Sequence, residues 1–171
     1  MKRIWTIGHS TREIESFIEI LNSFNIKILA DVRSYPGSSR YPHFNKERLP
    51  EYLKEKGISY EHISELGGRR KPVPDSKNTV WKNPGFRGFA DYMSSEKFLN
   101  GVNHLTALAG KINTVYMCAE AVWWRCHRSL ISDYLKFQGW EVIHIFDKDK
   151  SEEHPYTRQA RIRQNDLFYD G

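Results

Sequence analysis

The stretch Thr114-Val115-Tyr116-Met117-Cys118-Ala119-Glu120-Ala121-Val122-Trp123-Trp124-Arg125-Cys126-His127-Arg128 decides the fold. Its β-branched and aromatic start, Thr114 to Met117, reads as a buried strand. From Cys126 onward, Leu130, Ile131, Tyr134 and Leu135 recur at helical spacing. The loop between them is therefore a strand-to-helix turn. In parallel α/β sheets that end of a strand is where ligands bind, and here it carries two thiols, a carboxylate, an imidazole and two guanidiniums.

Working outward, Ile4 to Gly8 reads as a first strand with His9 at its carboxyl end. Ser10 or Thr11 caps a helix whose apolar face is Phe17, Ile18 and Leu21. A second strand, Ile26 to Val32, runs into Asp31, Arg33 and a proline-broken loop with Arg40 and His43. A helix over 46–56 ends at Gly57, and Ile58 to Ile63 gives a third strand. Helices over 86–93 and 95–108 precede the central strand, and Trp140 to Phe146 supplies a fifth. This alternation predicts a single α/β domain over 1–146, with a mainly parallel five-stranded sheet and helices on both faces. The expected strand order is 3-2-1-4-5, which sets His9 beside Cys118 at the topological switch point. Residues 147–171 read as a charged C-terminal extension, with a terminal helix between Tyr156 and Phe168.

At 171 residues the chain fits one domain with a sizeable core. Hydrophobic residues at 39% and charged residues at 27% give a globular composition. No apolar run approaches the roughly 20 residues of a membrane span, and Ile4 to Ile7 is too short for a signal-peptide core. The expected location is the cytoplasm, where two cysteines eight positions apart are reduced thiols. A net charge of +5 favours an anionic partner, a small molecule or nucleic acid, and no membrane.

The chemistry rests first on Cys118. Base rates make a strand-end cysteine a small buried apolar residue. A following helix N-terminus and the nearby Arg33, Arg125 or Arg128 favour its thiolate, and Glu120 stands two positions on as a base. Cysteine phosphatases bind an oxyanion in a cysteine-to-arginine loop, but Ala119 to Trp124 is longer, holds no glycine and contains an acid. Cys118-Ala119-Glu120 also looks like the tripeptide of zinc cytidine deaminases, without the Pro-Cys-x-x-Cys that follows there. A zinc set of Cys118, Cys126, His127 and His9 is the alternative; otherwise no cofactor is required. The segment 67–87 interleaves Arg69, Arg70, Lys71, Lys82 and Arg87 with Trp81, the combination that phosphate contact and base stacking need.

Several motifs recur together: Thr6 to Arg12, Asp31-Val32-Arg33 with Pro36, Arg40 and Phe44, Leu66 to Arg69, Phe86 to Tyr92, and Cys118-Ala119-Glu120 followed by Cys126-His127-Arg128. On these the chain resembles the domain of unknown function 488 family as far as about Phe146. Trp123-Trp124-Arg125 is a bulky filling of the loop. The resemblance implies a compact domain with a polar active site and no established reaction. The residues together predict an enzyme, a hydrolase or transferase acting on a nucleotide or nucleic-acid substrate. Cys118, Glu120, His9 and His127 would be catalytic, and Ser10, Arg12, Asp31, Arg33, Arg40, Arg69 and Arg128 would bind substrate. The alternatives are a non-catalytic nucleic-acid-binding module built on loop 67–87 and a zinc-dependent hydrolase.

Overall fold

A computed structural model describes residues 2–171. Five parallel strands form the body of one sheet: β1 (Arg3–Gly8), β2 (Ile28–Asp31), β3 (Ser59–His62), β4 (Thr114–Cys118) and β5 (Glu141–Asp147). A sixth, β6 (Lys150–Glu153), pairs antiparallel with β5. The order is β3-β2-β4-β1-β5-β6. This corrects the expected 3-2-1-4-5 order: β4 lies between β2 and β1. Every residue of β4 is buried, so it needs a strand on each side and a helix layer on each face, and the centre of the sheet is the place that gives both. The exposed β6 and the half-exposed β3 take the edges, where one row of backbone groups faces solvent.

Helices cover both faces, as the alternation predicts. On one side α1 (Ile14–Ser23) and α2 (Leu49–Glu55) pack Phe17, Leu21, Leu49 and Leu53 onto Ile7, Leu29, Val115 and Met117. On the other, α3 (Pro84–Tyr92), α4 (Glu96–Ala109) and α5 (Arg128–Phe137) pack Phe89, Phe98, Leu105 and Leu130 onto Ile4, Ala30, Tyr116 and Val142. Alternate residues of β4 thus serve opposite cores, as the two-residue period of a strand requires.

The expected terminal helix is instead a hairpin, β7 (Arg161–Arg163) and β8 (Asp166–Phe168). Gln164 and Asn165 both have positive φ, 53° and 61°, the two-residue turn whose twist suits paired strands. The charged segment 147–171 packs against the domain. Tyr169 lies in the same core as Trp81 and Leu130, and His154 is 1% exposed. Among the described residues no helix is long and apolar enough to cross a membrane.

Candidate functional site

The carboxyl ends of β2, β4 and β1 lie side by side and carry Asp31, Cys118 and Gly8-His9. The loop after β4 is laced to the end of β1: the His9 amide donates to the Cys118 carbonyl at 2.9 Å and the Ser10 amide to that of Ala119 at 3.0 Å. Gly8 makes this approach possible, since a Cβ there would stand 1.6 Å from the Glu120 carbonyl oxygen. The loop then turns through Trp123–Arg125 and enters α5, leaving a crevice of about 410 Å³.

Its floor is a sulfur pair. Cys118 Sγ and Cys126 Sγ are 2.9 Å apart, both free thiols, and both line the crevice. Arg128 binds them from beneath: its Nε donates to Cys118 Sγ at 3.1 Å and its backbone amide to Cys126 Sγ at 3.3 Å. Its Nη2 donates to the Glu120 carbonyl at 2.9 Å and its Nη1 to Thr6 Oγ1 at 3.0 Å. Arg128 is 1% exposed, and among the described residues no carboxylate lies within ion-pair distance of it.

The two thiols are driven apart in acidity. Burial raises Cys126, but the hydrogen bond from Cys118 and the charge and amide of Arg128, the first residue of α5, outweigh it and bring the thiol down to about 7. Burial and the neighbouring Cys126 push Cys118 well above the ordinary thiol range. The helix N-terminus expected to act on Cys118 therefore acts on Cys126. The more acidic of the two thiols is Cys126, because the chain enters α5 two residues after it.

The two catalytic imidazole candidates sit in fixed settings. His9 donates from Nδ1 to the Ser10 carbonyl at 2.9 Å and accepts at Nε2 from Arg33 Nη1 at 3.2 Å, and its ring stacks on Phe44. Burial lowers it to about 4, so it is neutral at physiological pH. His127 donates from Nε2 to the Val32 carbonyl at 2.8 Å and packs so tightly on Gly68 that a Cβ there would lie 2.5 Å from its Nδ1. Among the described residues no imidazole hydrogen bonds to either sulfur, and no group of three or more His, Cys, Asp or Glu side chains is arranged to hold a metal ion. The set Cys118, Cys126, His127 and His9 thus brings only its two sulfurs together.

The structure divides the expected substrate-binding residues. Arg33 lines the crevice, yet its guanidinium is committed to both Asp31 carboxylate oxygens and to the Phe44 carbonyl. Asp31, fully buried, also accepts from Tyr60. Arg12 donates to the carbonyls of Gly8 and Phe146 and ties β1 to β5. Ser10 adopts a left-handed conformation at the β1 turn, and Arg40 is exposed outside the crevice. Arg69 and Arg125 are the exposed cations at its rim, Arg69 lying over the Tyr35 ring at 5.3 Å, with Glu120 exposed at the mouth.

Loop 67–87 is more structural than its composition suggests. Trp81 is buried between Phe86 and Tyr169, which corrects its expected role as an exposed stacking platform. Arg70 lies 3.6 Å over the Tyr92 ring, and Arg87 donates to the Trp81 carbonyl; Lys71 and Lys82 point to solvent. Sequence reading missed Cys126 as the acidic thiol, although its place two residues before a helix was a usable signal. It missed Thr6, Asp133, His144 and His154 altogether, because nothing local marks a buried polar residue that meets its partners only through the fold.

Fold and site together define an α/β protein with a parallel sheet and a cysteine-pair crevice at its carboxyl edge. The profile of the domain of unknown function DUF488 matches residues 13–135, and the chain belongs to that family. Comparison with curated proteins and with solved structures gave no match. The match covers both cysteines and Arg128 but begins after Thr6 and ends before His144.

Proposed function

We propose that the chain is a thiol enzyme, a hydrolase or transferase in which a Cys126 thiolate attacks an anionic substrate held in the crevice. The observation that carries this reading is buried Arg128, whose guanidinium binds the Cys118 sulfur and whose backbone amide binds the Cys126 sulfur, with no carboxylate beside it among the described residues. A guanidinium stays charged in a protein and is tolerated in the interior when an opposite charge compensates it. One thiolate shared across Cys126 and Cys118 is the nearest such charge. It also gives a nucleophile at neutral pH without an imidazole base.

Arg69 and Arg125 suit a phosphate-bearing substrate, and Tyr35 and Phe86, which also line the crevice, suit the flat face of a nucleobase. The crevice has the volume of a small-ligand site, which favours a nucleotide or a nucleic-acid end over a duplex. As Cys126 bonds to the substrate its leaving group departs with a proton from Glu120 at the mouth, and Glu120 then takes a proton from the water or acceptor hydroxyl that displaces the Cys126 thiolate from the adduct. In this reading the end of the basic loop serves as a wall of the crevice, through Arg69, Asn83 and Phe86.

Iodoacetamide alkylation of the whole protein across pH, mapped by peptide mass spectrometry, tests it. Cys126 should react with a midpoint close to its value of about 7, Cys118 should stay unmodified, and nucleoside phosphates or short oligonucleotides should protect. A midpoint near the ordinary thiol value of about 8.5 would remove the thiolate and the reading with it.

A further inference from the structure

Behind the sulfurs runs a line of buried side chains that the crevice does not touch. Arg128 Nη1 donates to Thr6 Oγ1 at 3.0 Å, and Thr6 Oγ1 is 2.6 Å from His144 Nδ1. His144 Nε2 is 2.8 Å from His154 Nδ1, and His154 Nε2 is 2.8 Å from Asp133 Oδ1. None of these five residues is more than 1% exposed. With the step from Arg128 Nε to Cys118 Sγ and on to Cys126, the line joins a buried carboxylate to the thiol pair without a gap.

One arrangement of hydrogens uses every donor. The Asp133 carboxylate accepts from His154 Nε2, the Thr157 amide, the Thr157 hydroxyl and the Tyr169 hydroxyl, so it acts only as an acceptor. His154 then carries its hydrogen on Nε2 and accepts at Nδ1 from His144, whose own Nδ1 accepts the Thr6 hydroxyl hydrogen. That leaves the Thr6 oxygen lone pairs facing Arg128. A His144 ring that donated from Nδ1 would instead leave the Thr6 hydroxyl hydrogen without an acceptor in the line. Burial, together with the nearby His154 and Arg128, lowers His144 to about 2, in keeping with a neutral ring. Trp123 stacks on that ring at 4.7 Å, and its indole Nε1 donates to Glu152 at 2.9 Å.

We propose that His144, His154 and Asp133 are positioning residues of the thiol site, which act through Thr6 to hold the Arg128 guanidinium against the sulfurs. The inference rests on the thiolate reading above and names what sustains it. A hydroxyl alone rotates freely; one whose hydrogen is committed to an imidazole presents a fixed acceptor. Arg128 is then held on three edges by three segments, Thr6 of β1, Cys118 of β4 and the loop carbonyl of Glu120. A hydrogen-bond line that ends on a carboxylate polarises toward it and strengthens each donor along the way. Thr6, His144, His154, Thr157 and Tyr169 all lie outside the stretch that matches the family. Both ends of this chain therefore close the back of the site.

The test is iodoacetamide alkylation of Cys126 against pH in the full chain, with variants at opposite ends of the line. Thr6→Val keeps the shape and removes the acceptor; His154→Phe breaks the line beyond His144. Both should raise the alkylation midpoint, Thr6→Val by about one pH unit, so that the rate at pH 6 falls about tenfold, and Thr6→Ser should restore it. A purely structural role would lower the melting temperature and leave the midpoint alone. Folded variants whose profiles overlay that of the parent protein would overturn the positioning role while the thiolate reading stands. A parent midpoint in the ordinary thiol range would instead overturn the thiolate reading and this inference together.

Discussion

Arg128 is a buried guanidinium set against a pair of thiols. Its guanidinium N–H donors lie in a plane, and the fold gives them the Cys118 sulfur, a hydroxyl and a carbonyl, while its backbone amide takes the Cys126 sulfur; among the described residues no carboxylate pairs with it. Arg128→Met should raise the Cys126 alkylation midpoint. Because the Thr6 hydroxyl and the Glu120 carbonyl then lose a buried donor, it should also cost roughly 2 kcal/mol or more in urea unfolding. The sulfur contact at 2.9 Å makes a second expectation. Diamide, which takes two electrons and two protons from a dithiol, should convert Cys118 and Cys126 to a disulfide, abolish alkylation, and be reversed by dithiothreitol. Persistence of both free thiols would show that the pair cannot close. Glu120→Gln should fold and bind normally yet lose turnover by roughly 10²-fold; an early melt instead would make Glu120 scaffold.

At the scale of elements, the site exists because the end of β1 and the loop after β4 share backbone hydrogen bonds. That contact has no room for a side chain at Gly8. Gly8→Ala should push the Ala119–Glu120 turn outward, destabilise the protein by about 2 kcal/mol or more, and raise the thiol midpoint as Arg128 loses the Glu120 carbonyl. A crystal structure of the variant with the turn unmoved would contradict this. The far wall depends on α3, which begins where Asn83 accepts from the amides of Gly85 and Phe86. Removing that cap with Asn83→Ala should cost about 1 kcal/mol, measured by chemical denaturation, and loosen the wall that carries Phe86.

For the molecule as a whole, the C-terminal segment is part of the core. It supplies all four groups that hydrogen bond to Asp133: the His154 imidazole, the amide and hydroxyl of Thr157, and the Tyr169 hydroxyl. Stability should follow pH through the buried neutral histidines. His9 and His144 titrate near 6.5 when unfolded and at about 4 and about 2 when folded, so below 6.5 the unfolded chain binds more protons. Their contribution is complete above pH 6.5 and is lost as pH falls toward those folded values. Urea midpoints should therefore decline steadily from pH 6.5 to pH 4; a level profile over that range would mean that the rings are solvated.

Local pattern alone determined a good deal of this protein. The period of two in β4, the helical spacing after Cys126 and the turn chemistry between elements gave an α/β domain, helices on both faces, and two cysteines at a strand's carboxyl end, because those signals depend on neighbours a few residues away. Only the tertiary structure decided the rest. Where β4 sits follows from burying both its faces at once, a demand met by residues far along the chain. Trp81 turns inward because Phe86 and Tyr169 meet it there, and Arg12 and Arg33 are spent on carbonyls and a carboxylate that the sequence does not place beside them. The greater acidity falls to Cys126 rather than Cys118 for the same reason: acidity is set by which donors surround a sulfur, and those donors come from a helix start and an arginine that meet the sulfurs only when the sheet closes.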